Sequence, residues 1–386
     1  MDHNRLKQLQ FSLKTPVLIK KKENLFYLTG RSFDYRAEEY LLVTKKDIVG
    51  FGSGLERIDW VKKADRLKNI GKYIKGKKLD IEWGFTYGEA EYLKYKISAK
   101  GGSAFGGKKI TIEPAKSPVD EMRQVKEPEE LSHIRKSMQI VEKIFFEVKK
   151  KLKDTNRKRT YTERSLAEFI TKTGLRLGAQ DVSFPAIVAS GANSAIPHHV
   201  PSAKKLKAGE SIIIDFGFKY NNYCSDFTRT VFLKTVPKKL EVAYNLVEKA
   251  YLESMEFIDR AMSLRGYPKQ SSLNKRLLRS EAFVRNDRGV RAGDVYQKAV
   301  DVLKEKNLDK YFIHSLGHGT GLEIHELPNL SPDSKDVLKN NMVFSIEPGV
   351  YITKLGGIRI EDLVYLRQGR VKRFISIPTD LKSNIL

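Results

Sequence analysis

The sequence predicts an α/β and α+β protein in two parts, a small mixed α/β domain over residues 1–118 followed by a larger unit over 125–386. Three observations predict this. The first third alternates short β-branched or aromatic runs with lysine-rich helical patterns. Around residues 113–130 the composition turns to proline and acidic residues, as a connection does. Beyond it both helical and strand patterns lengthen. With 386 residues, 40% hydrophobic and 31% charged, the chain is long enough for two domains and balanced like an ordinary globular protein.

In the first part LFYLTG, EYLLVT, DIVGFG, LDIEW and KITIEP read as strands, and RIDWVKKADRLKNIGKYI reads as a helix. The stretch EPAKSPVDEMRQVKEPEE leads into a helix with Pro128 in its first turn and Glu129 and Glu130 where the helix dipole favours negative charge. LSHIRKSMQIVEKIFFEVKKKL then opens the second part as a long amphipathic helix. There TERSLAEFITKTGLRLGA, EVAYNLVEKAYLESMEFI and AGDVYQKAVDVLKEKN have helical period, and SIIIDFGF, CSDFTRTVFL, MVFSIEPGVYI and IRIEDLVYL read as strands. Residues 258–291 are strongly basic and without clear periodicity, and are read as a surface excursion between two helices in preference to a specific partner site.

The formal charge of +24 raises the question of nucleic acid, because clustered Lys and Arg release counterions from a phosphate backbone. The lysines are instead spread along most of the chain, as on a solvated surface, so nucleic acid is not the expected partner. No apolar run approaches the roughly 18 residues of a membrane span, and MDHNRLKQLQFSLKTPVLIKKK has no apolar core of signal-peptide length. A soluble, cytoplasmic protein is expected. A single cysteine, Cys224, excludes an intrachain disulfide and a cysteine-cluster zinc site. Two motif fragments carry nothing: GGSAFGGKK has Lys109 where a P-loop needs Ser or Thr, and the DFG at Asp215 lacks the other loops of a kinase.

The chemistry starts at IIIDFGFKYNNYCSDFTRT. Three isoleucines run into Asp215, and Asp226 follows in what reads as the second strand of a hairpin turning at Asn221 and Asn222. In that register Asp226 lies opposite Gly217, with Asp215 a diagonal neighbour on the same face, and Gly217 leaves a gap between them. Like charges that close repel, so either one acid is protonated or a cation bridges them; two solvated ends of an exposed hairpin are the plainer alternative. The histidines favour chemistry. His198 and His199 fall in NSAIPHHVPS, and His314, His318 and His325 in IHSLGHGTGLEIHELP, where interleaved glycines let backbone approach a ligand. Two further acids, Glu347 in MVFSIEPGVYI and Glu361 in GGIRIEDLVYL, sit in strand-like contexts. Together with one imidazole these acids form an oxygen-rich set suited to Mn, Co, Fe or Zn. Four carboxylates are too many for one ion, whereas two divalent ions sharing bridging carboxylates would balance them and activate water.

The order Asp, Asp, His, Glu, Glu, carried by DFG, SDFTRT, GHGTG, SIEPG and RIED, resembles the pita-bread metallopeptidases, the family of aminopeptidase P, prolidase and methionine aminopeptidase, with creatinase beside them. The resemblance covers nearly the whole chain: residues 125–386 look like the catalytic domain and 1–118 like the N-terminal domain of the Xaa-Pro enzymes and creatinase. It implies two divalent ions, manganese foremost, with Asp215 chelating one, Asp226 and Glu361 bridging both, and His318 and Glu347 completing the other. Glu347 is also implied to take and return the water proton. His198 and His325 resemble the substrate-side histidines that stabilise the oxyanion. The resemblance also implies that His314 is a pocket residue, that Arg359 orients a neighbouring carboxylate and that His199 points elsewhere. Cys224 shares a face with Asp226 but has no counterpart among the family's ligands.

The function implied is removal of an N-terminal residue ahead of proline by attack of a metal-bridging hydroxide, as in aminopeptidase P. Prolidase-type cleavage of Xaa-Pro dipeptides is the alternative, with methionine aminopeptidase or a non-catalytic protein- or nucleic-acid-binding adaptor more remote. The expected partners are a peptide with proline at its second position and a second copy of the chain, homodimers being the commonest assembly. Against this family the segment 258–291 looks like an insertion.

Overall fold

A computed structural model describes residues 3–34, 38–55, 58, 61–63, 67–98, 110–153, 161–263 and 289–386. The chain divides into two compact units, Met1–Arg123 and Gln124–Leu386. The P-loop-like stretch up to Lys109, and 264–288 of the basic segment, lie outside the described residues.

In the first unit the elements run α1 (His3–Ser12), β1 (Val17–Ile19), α2 (Lys22–Thr29), β2 (Tyr40–Val43), β3 (Ile48–Phe51), β4 (Lys62–Lys63), β5 (Lys78–Glu82), α3 (Tyr87–Ser98), β6 (Thr111–Ala115) and α4 (Pro118–Met122). The strands form one mixed sheet in the order β4-β3-β2-β1-β5-β6, over a core that includes Leu18, Leu42, Val49, Leu79 and Ile81. Two sequence expectations fail here. LFYLTG is the body of α2, because Leu25 and Leu28 fall on one helical face and Gly30, at φ 68°, closes the helix by donating to the Phe26 carbonyl. The stretch expected as one helix from residue 57 gives instead β4, which pairs parallel with β3, and a 3-10 turn at Leu67–Tyr73.

The second unit runs α5 (Pro128–Lys153), α6 (Glu163–Arg176), β7 (Asp181–Val182), β8 (Ile187–Ser190), β9 (Ser211–Asp215), β10 (Phe218–Tyr220), β11 (Tyr223–Cys224), β12 (Phe227–Phe232), α7 (Lys238–Ser263), β13 (Val290–Arg291), α8 (Ala292–Lys304), β14 (Gly317–Gly319), β15 (Glu326–Leu330), β16 (Val337–Leu338), β17 (Val343–Ile346), β18 (Gly349–Ile352), β19 (Gly356–Arg359), β20 (Glu361–Arg367) and β21 (Arg370–Arg373). Every helix and strand expected in this unit forms. In α5, Ile134, Met138, Val141, Phe145 and Val148 recur at helical spacing and are buried, which presses the helix onto β10 and β11. Eight of the strands form one sheet in the order β15-β14-β17-β20-β12-β9-β8, with β21 beside β20, while β11-β10-β7, β13-β16 and β18-β19 form smaller sheets. The basic segment is bounded by regular structure: residues 258–263 are the last turns of α7, and β13 pairs with β16. No helix among the described residues is long and apolar enough to cross a membrane.

Candidate metal centre

The sheet order brings together residues far apart in sequence. β14, β17, β20, β12 and β9 are consecutive neighbours, and at or beside their ends stand His318, Glu347, Glu361, Asp226 and Asp215. Thr228 of β12 lies opposite Asp215 on one side and Glu361 on the other. Ile346 pairs with Asp362, so the next position sets Glu347 against Glu361. Paired residues project to one face of a sheet, and this face therefore gathers a row of acids.

The hairpin holds the expected register. Asn221 and Asn222 take φ of 48° and 69°, the left-handed values of a two-residue turn, and Tyr220 pairs with Tyr223 and Lys219 with Cys224. The expectation for Gly217 needs correction. A Cβ there would lie 1.9 Å from the Ser225 carbonyl oxygen and 3.1 Å from the Phe184 ring. Its missing side chain admits the facing backbone, not an ion.

Ligand-type atoms of Asp226, His318 and Glu361 all lie within 4.8 Å of one another. His318 Nε2 is 3.4 Å from Asp226 Oδ2 and 3.4 Å from Glu347 Oε1. Ser345 Oγ donates to Glu347 Oε1 at 3.2 Å and accepts from the His318 backbone N–H at 3.0 Å. Arg359 Nη2 pairs with Asp215 Oδ2. Thr228 Oγ1 donates to Glu361 Oε2 at 2.7 Å and accepts from Arg359 Nε at 3.2 Å.

Electrostatics marks the set as strained without a cation. Burial pushes the Asp215 carboxyl up to about 6 against the pull of Arg359, with Asp226 adding to the rise. Burial raises Glu347 to about 7, opposed by His318 and reinforced by Asp226. Glu361 is driven well above the carboxylate range by burial and then by Asp226, Glu347 and Asp215. Burial disfavours a charged His318, yet Asp226 and Glu347 outweigh it and lift the imidazole to about 9. Asp215 Oδ1 and Glu361 Oε1 are buried with no hydrogen-bond partner, a costly state for an acceptor. Divalent ions fit this donor set: they would take those two oxygens and supply the missing positive charge.

The remaining expected residues surround this row. His325 meets His318 edge-on, with ring centroids 4.3 Å apart. His198 is exposed; burial lowers the pKa of His314 and His325, Arg359 adds at the first and His318 at the second, and the field of His198 adds a smaller part at both. His314 is linked to the acids through others: Nε2 is 2.9 Å from Tyr351 Oη, which accepts from Arg359 Nη1 at 2.7 Å. His199 turns away, Nε2 lying 2.9 Å from Glu163 Oε2. The Cys224 thiol is directed at the Leu322 carbonyl, Sγ to O 3.7 Å, and burial pushes it up to about 12. Sequence reading left three contributors unassigned: Thr228, Tyr351 and Glu163. Thr228 was legible, since alternation puts it on the face of Asp226; the bonds of Tyr351 to His314 and of Glu163 to residues 190–202 cross long sequence separations that carry no local signal.

Comparison with known proteins agrees with this geometry. The pattern of metallopeptidase family M24 matches residues 132–265 and 275–368. The chain is 31% identical to an Xaa-Pro dipeptidase of Pyrococcus furiosus over 375 residues, covering 95% of this chain and 94% of the relative. It is 36% identical over 250 residues to a putative Xaa-Pro aminopeptidase of Mycoplasma genitalium, covering 64% of this chain and 61% of the relative. The crystal structure of the prolidase from Pyrococcus horikoshii superposes with a TM-score of 0.77 at 28% identity, over 97% of this chain and 98% of that one. A pita-bread fold, a row of acids on neighbouring strands and a family pattern spanning them have one reading: the chain belongs to metallopeptidase family M24, as a metallo-exopeptidase.

Proposed function

We propose that the protein hydrolyses Xaa-Pro dipeptides with two divalent ions held by Asp215, Asp226, His318, Glu347 and Glu361. The observation that carries the metal reading is the pair of buried, unpartnered oxygens, Asp215 Oδ1 and Glu361 Oε1, within an acid-rich row. The dipeptide preference rests on likeness to Xaa-Pro dipeptidases along nearly the full chain and on the higher identity to solved prolidases, 28%, than to the solved X-Pro aminopeptidase of Thermotoga maritima, 24%; a putative Xaa-Pro aminopeptidase of Mycoplasma pneumoniae, 30% identical over 95% of this chain, supports the second reading. This reverses the order that the sequence alone suggested, with aminopeptidase P now second.

Bound there, the ions would polarise the peptide carbonyl and make water nucleophilic near neutral pH, with manganese foremost and Co, Fe or Zn compatible with the same donors. The protein's residues do the rest. Glu347, which stands 3.4 Å from His318 Nε2 within the row, is suited to accept a proton from water and return it to the leaving amine. His198 and His325 flank the row and would donate hydrogen bonds to the developing oxyanion. Arg359 fixes Asp215, and Thr228 fixes Glu361. A binding-only role is disfavoured, because none of the five expected ligands is missing. We further propose a cytoplasmic homodimer, testable by sedimentation.

Chelated protein reloaded with Mn or Co is assayed on an Xaa-Pro dipeptide and an Xaa-Pro-Xaa tripeptide. Turnover should need metal, favour the dipeptide and vanish in Asp226→Ala. Faster tripeptide cleavage would transfer the protein to the aminopeptidase P reading, and turnover retained in Asp226→Ala would sink the metal mechanism.

A further inference from the structure

Glu163 stands outside the metal centre, at the first position of α6. Its side chain is wholly buried, yet it makes no ion pair with Lys or Arg among the described residues. Its partners instead come from one stretch of chain, residues 190–202. Oε1 accepts from the Ser190 backbone N–H and Ser190 Oγ, both at 2.8 Å, and from Asn193 Nδ2 at 3.0 Å. Oε2 accepts from the Ser202 N–H at 3.1 Å and Ser202 Oγ at 2.6 Å, and lies 2.9 Å from His199 Nε2. A carboxylate at a helix N-terminus is favoured by the dipole as well. This stretch reaches the centre from its other side, where the Pro197 carbonyl lies 3.5 Å from Arg359 Nη1. His198 sits between that contact and His199, with no hydrogen bond of its own among the described residues to fix it.

We propose that Glu163 is the positioning residue for His198: one buried carboxylate clamps the chain at residues 190, 193, 199 and 202 and so fixes the reach of His198 over the metal centre. The proposal rests on the substrate-side role given to His198 above. The chemistry of the clamp makes Glu163→Gln informative. Serine hydroxyls and an imidazole can reverse their roles, but a backbone N–H cannot accept. One amide orientation sets NH2 against the Ser190 N–H and the other against the Ser202 N–H. Neither satisfies both ends of the segment.

The test is a cycle of Glu163→Gln, His198→Ala and the double variant, using Mn-loaded full-length protein and an Xaa-Pro dipeptide. Ser202→Ala is the milder companion should Glu163→Gln fold poorly. Glu163→Gln should lower kcat/KM roughly 10- to 100-fold, the usual scale for groups that orient a functional residue, with the Mn dissociation constant changed less than about threefold. In the His198→Ala background it should lower kcat/KM no further. Ser202→Ala should show the same pattern at a smaller amplitude. Backbone hydrogen exchange over 190–202 should rise at least about tenfold, while β9, β12 and β20 keep their protection. An equal loss with and without His198, a parallel loss of Mn binding, or unchanged exchange over 190–202 would overturn the proposal. If the wild type proves inactive on dipeptides, the proposed function fails by that result alone. The exchange measurement then still decides the clamp.

Discussion

Asp362 is one residue from Glu361 but projects to the opposite side of β20, where it is fully buried and faces two guanidinium groups and a phenol. Arg229 Nη2 donates to its two oxygens at 2.9 and 3.0 Å, Arg373 Nε lies 2.9 Å from Oδ2, and Tyr251 Oη donates at 2.5 Å. The substitution Asp362→Ala removes the only carboxylate paired with Arg229 among the described residues. Arg373 has 27% of its side chain exposed and can turn to water. Arg229 is fully buried and cannot. It keeps hydrogen bonds to the carbonyls of Thr228, Glu361, Ile377 and Pro378, but one Nη2 N–H loses its acceptor and the charge loses its partner. Breaking a buried pair in this way costs about 3–5 kcal/mol. For a unit of this size that is a fall in Tm on the order of 10 °C. The assay is thermal unfolding followed by circular dichroism on chelated protein, so that metal linkage does not enter. A Tm within about 2 °C of wild type would refute the reasoning, since the four carbonyls would then suffice to compensate the buried guanidinium.

Three further outcomes follow from the site. Thr228→Val keeps the shape but removes the hydroxyl that donates to Glu361 and accepts from Arg359; Mn affinity by calorimetry should fall about 10- to 100-fold, as for other groups that orient metal ligands. Glu163 is held at about 2, below its ordinary 4.5: burial opposes the charge, and Ser202, His199, Ser190 and Asn193 outweigh it. A carboxylate depressed in the folded state contributes stability that is complete above 4.5 and lost as pH falls towards 2, so acid titration should cost wild type more stability over that window than Glu163→Gln. Cys224, with its thiol pushed to about 12 by burial, should resist iodoacetamide in the folded protein, and Cys224→Ala should bind Mn as wild type does.

How much was legible depended on whether the signal was local. The hairpin was: two asparagines at a turn and alternation on both sides fix a register that then runs from Tyr220–Tyr223 back to Asp215–Thr228. So was α5, whose apolar spacing needs no partner to be read. LFYLTG was misread because an unbroken aromatic and aliphatic run has no period of its own; Glu23 in the first turn and Gly30 at the end carried the helical signal. Gly217 shows a different limit. The sequence marks a place where a side chain is not tolerated, but only the structure identifies the Ser225 carbonyl as what comes close. The clamp at Glu163 was invisible for the same reason, as its partners lie 27 to 39 residues away.

β20 supplies an argument for the proposal that the row of acids holds metal and is not merely a buried polar cluster. On one side Asp362 is neutralised by the protein's own cations, Arg229 and Arg373. On the other, Asp215, Asp226, Glu347 and Glu361 share a single guanidinium among the described residues, Arg359. With His318 neutral, as a ligand must be, three negative charges remain uncompensated. A buried group normally resolves such an excess by protonation, and the raised carboxyls of Asp215, Glu347 and Glu361 show that tendency. One divalent ion would still leave a negative charge. Two would leave the centre with a single positive one, the sign that holds a carboxylate-bearing dipeptide and favours an oxyanion. The protein spends its arginines on one face of the strand and withholds them from the other, and that asymmetry favours two ions over one.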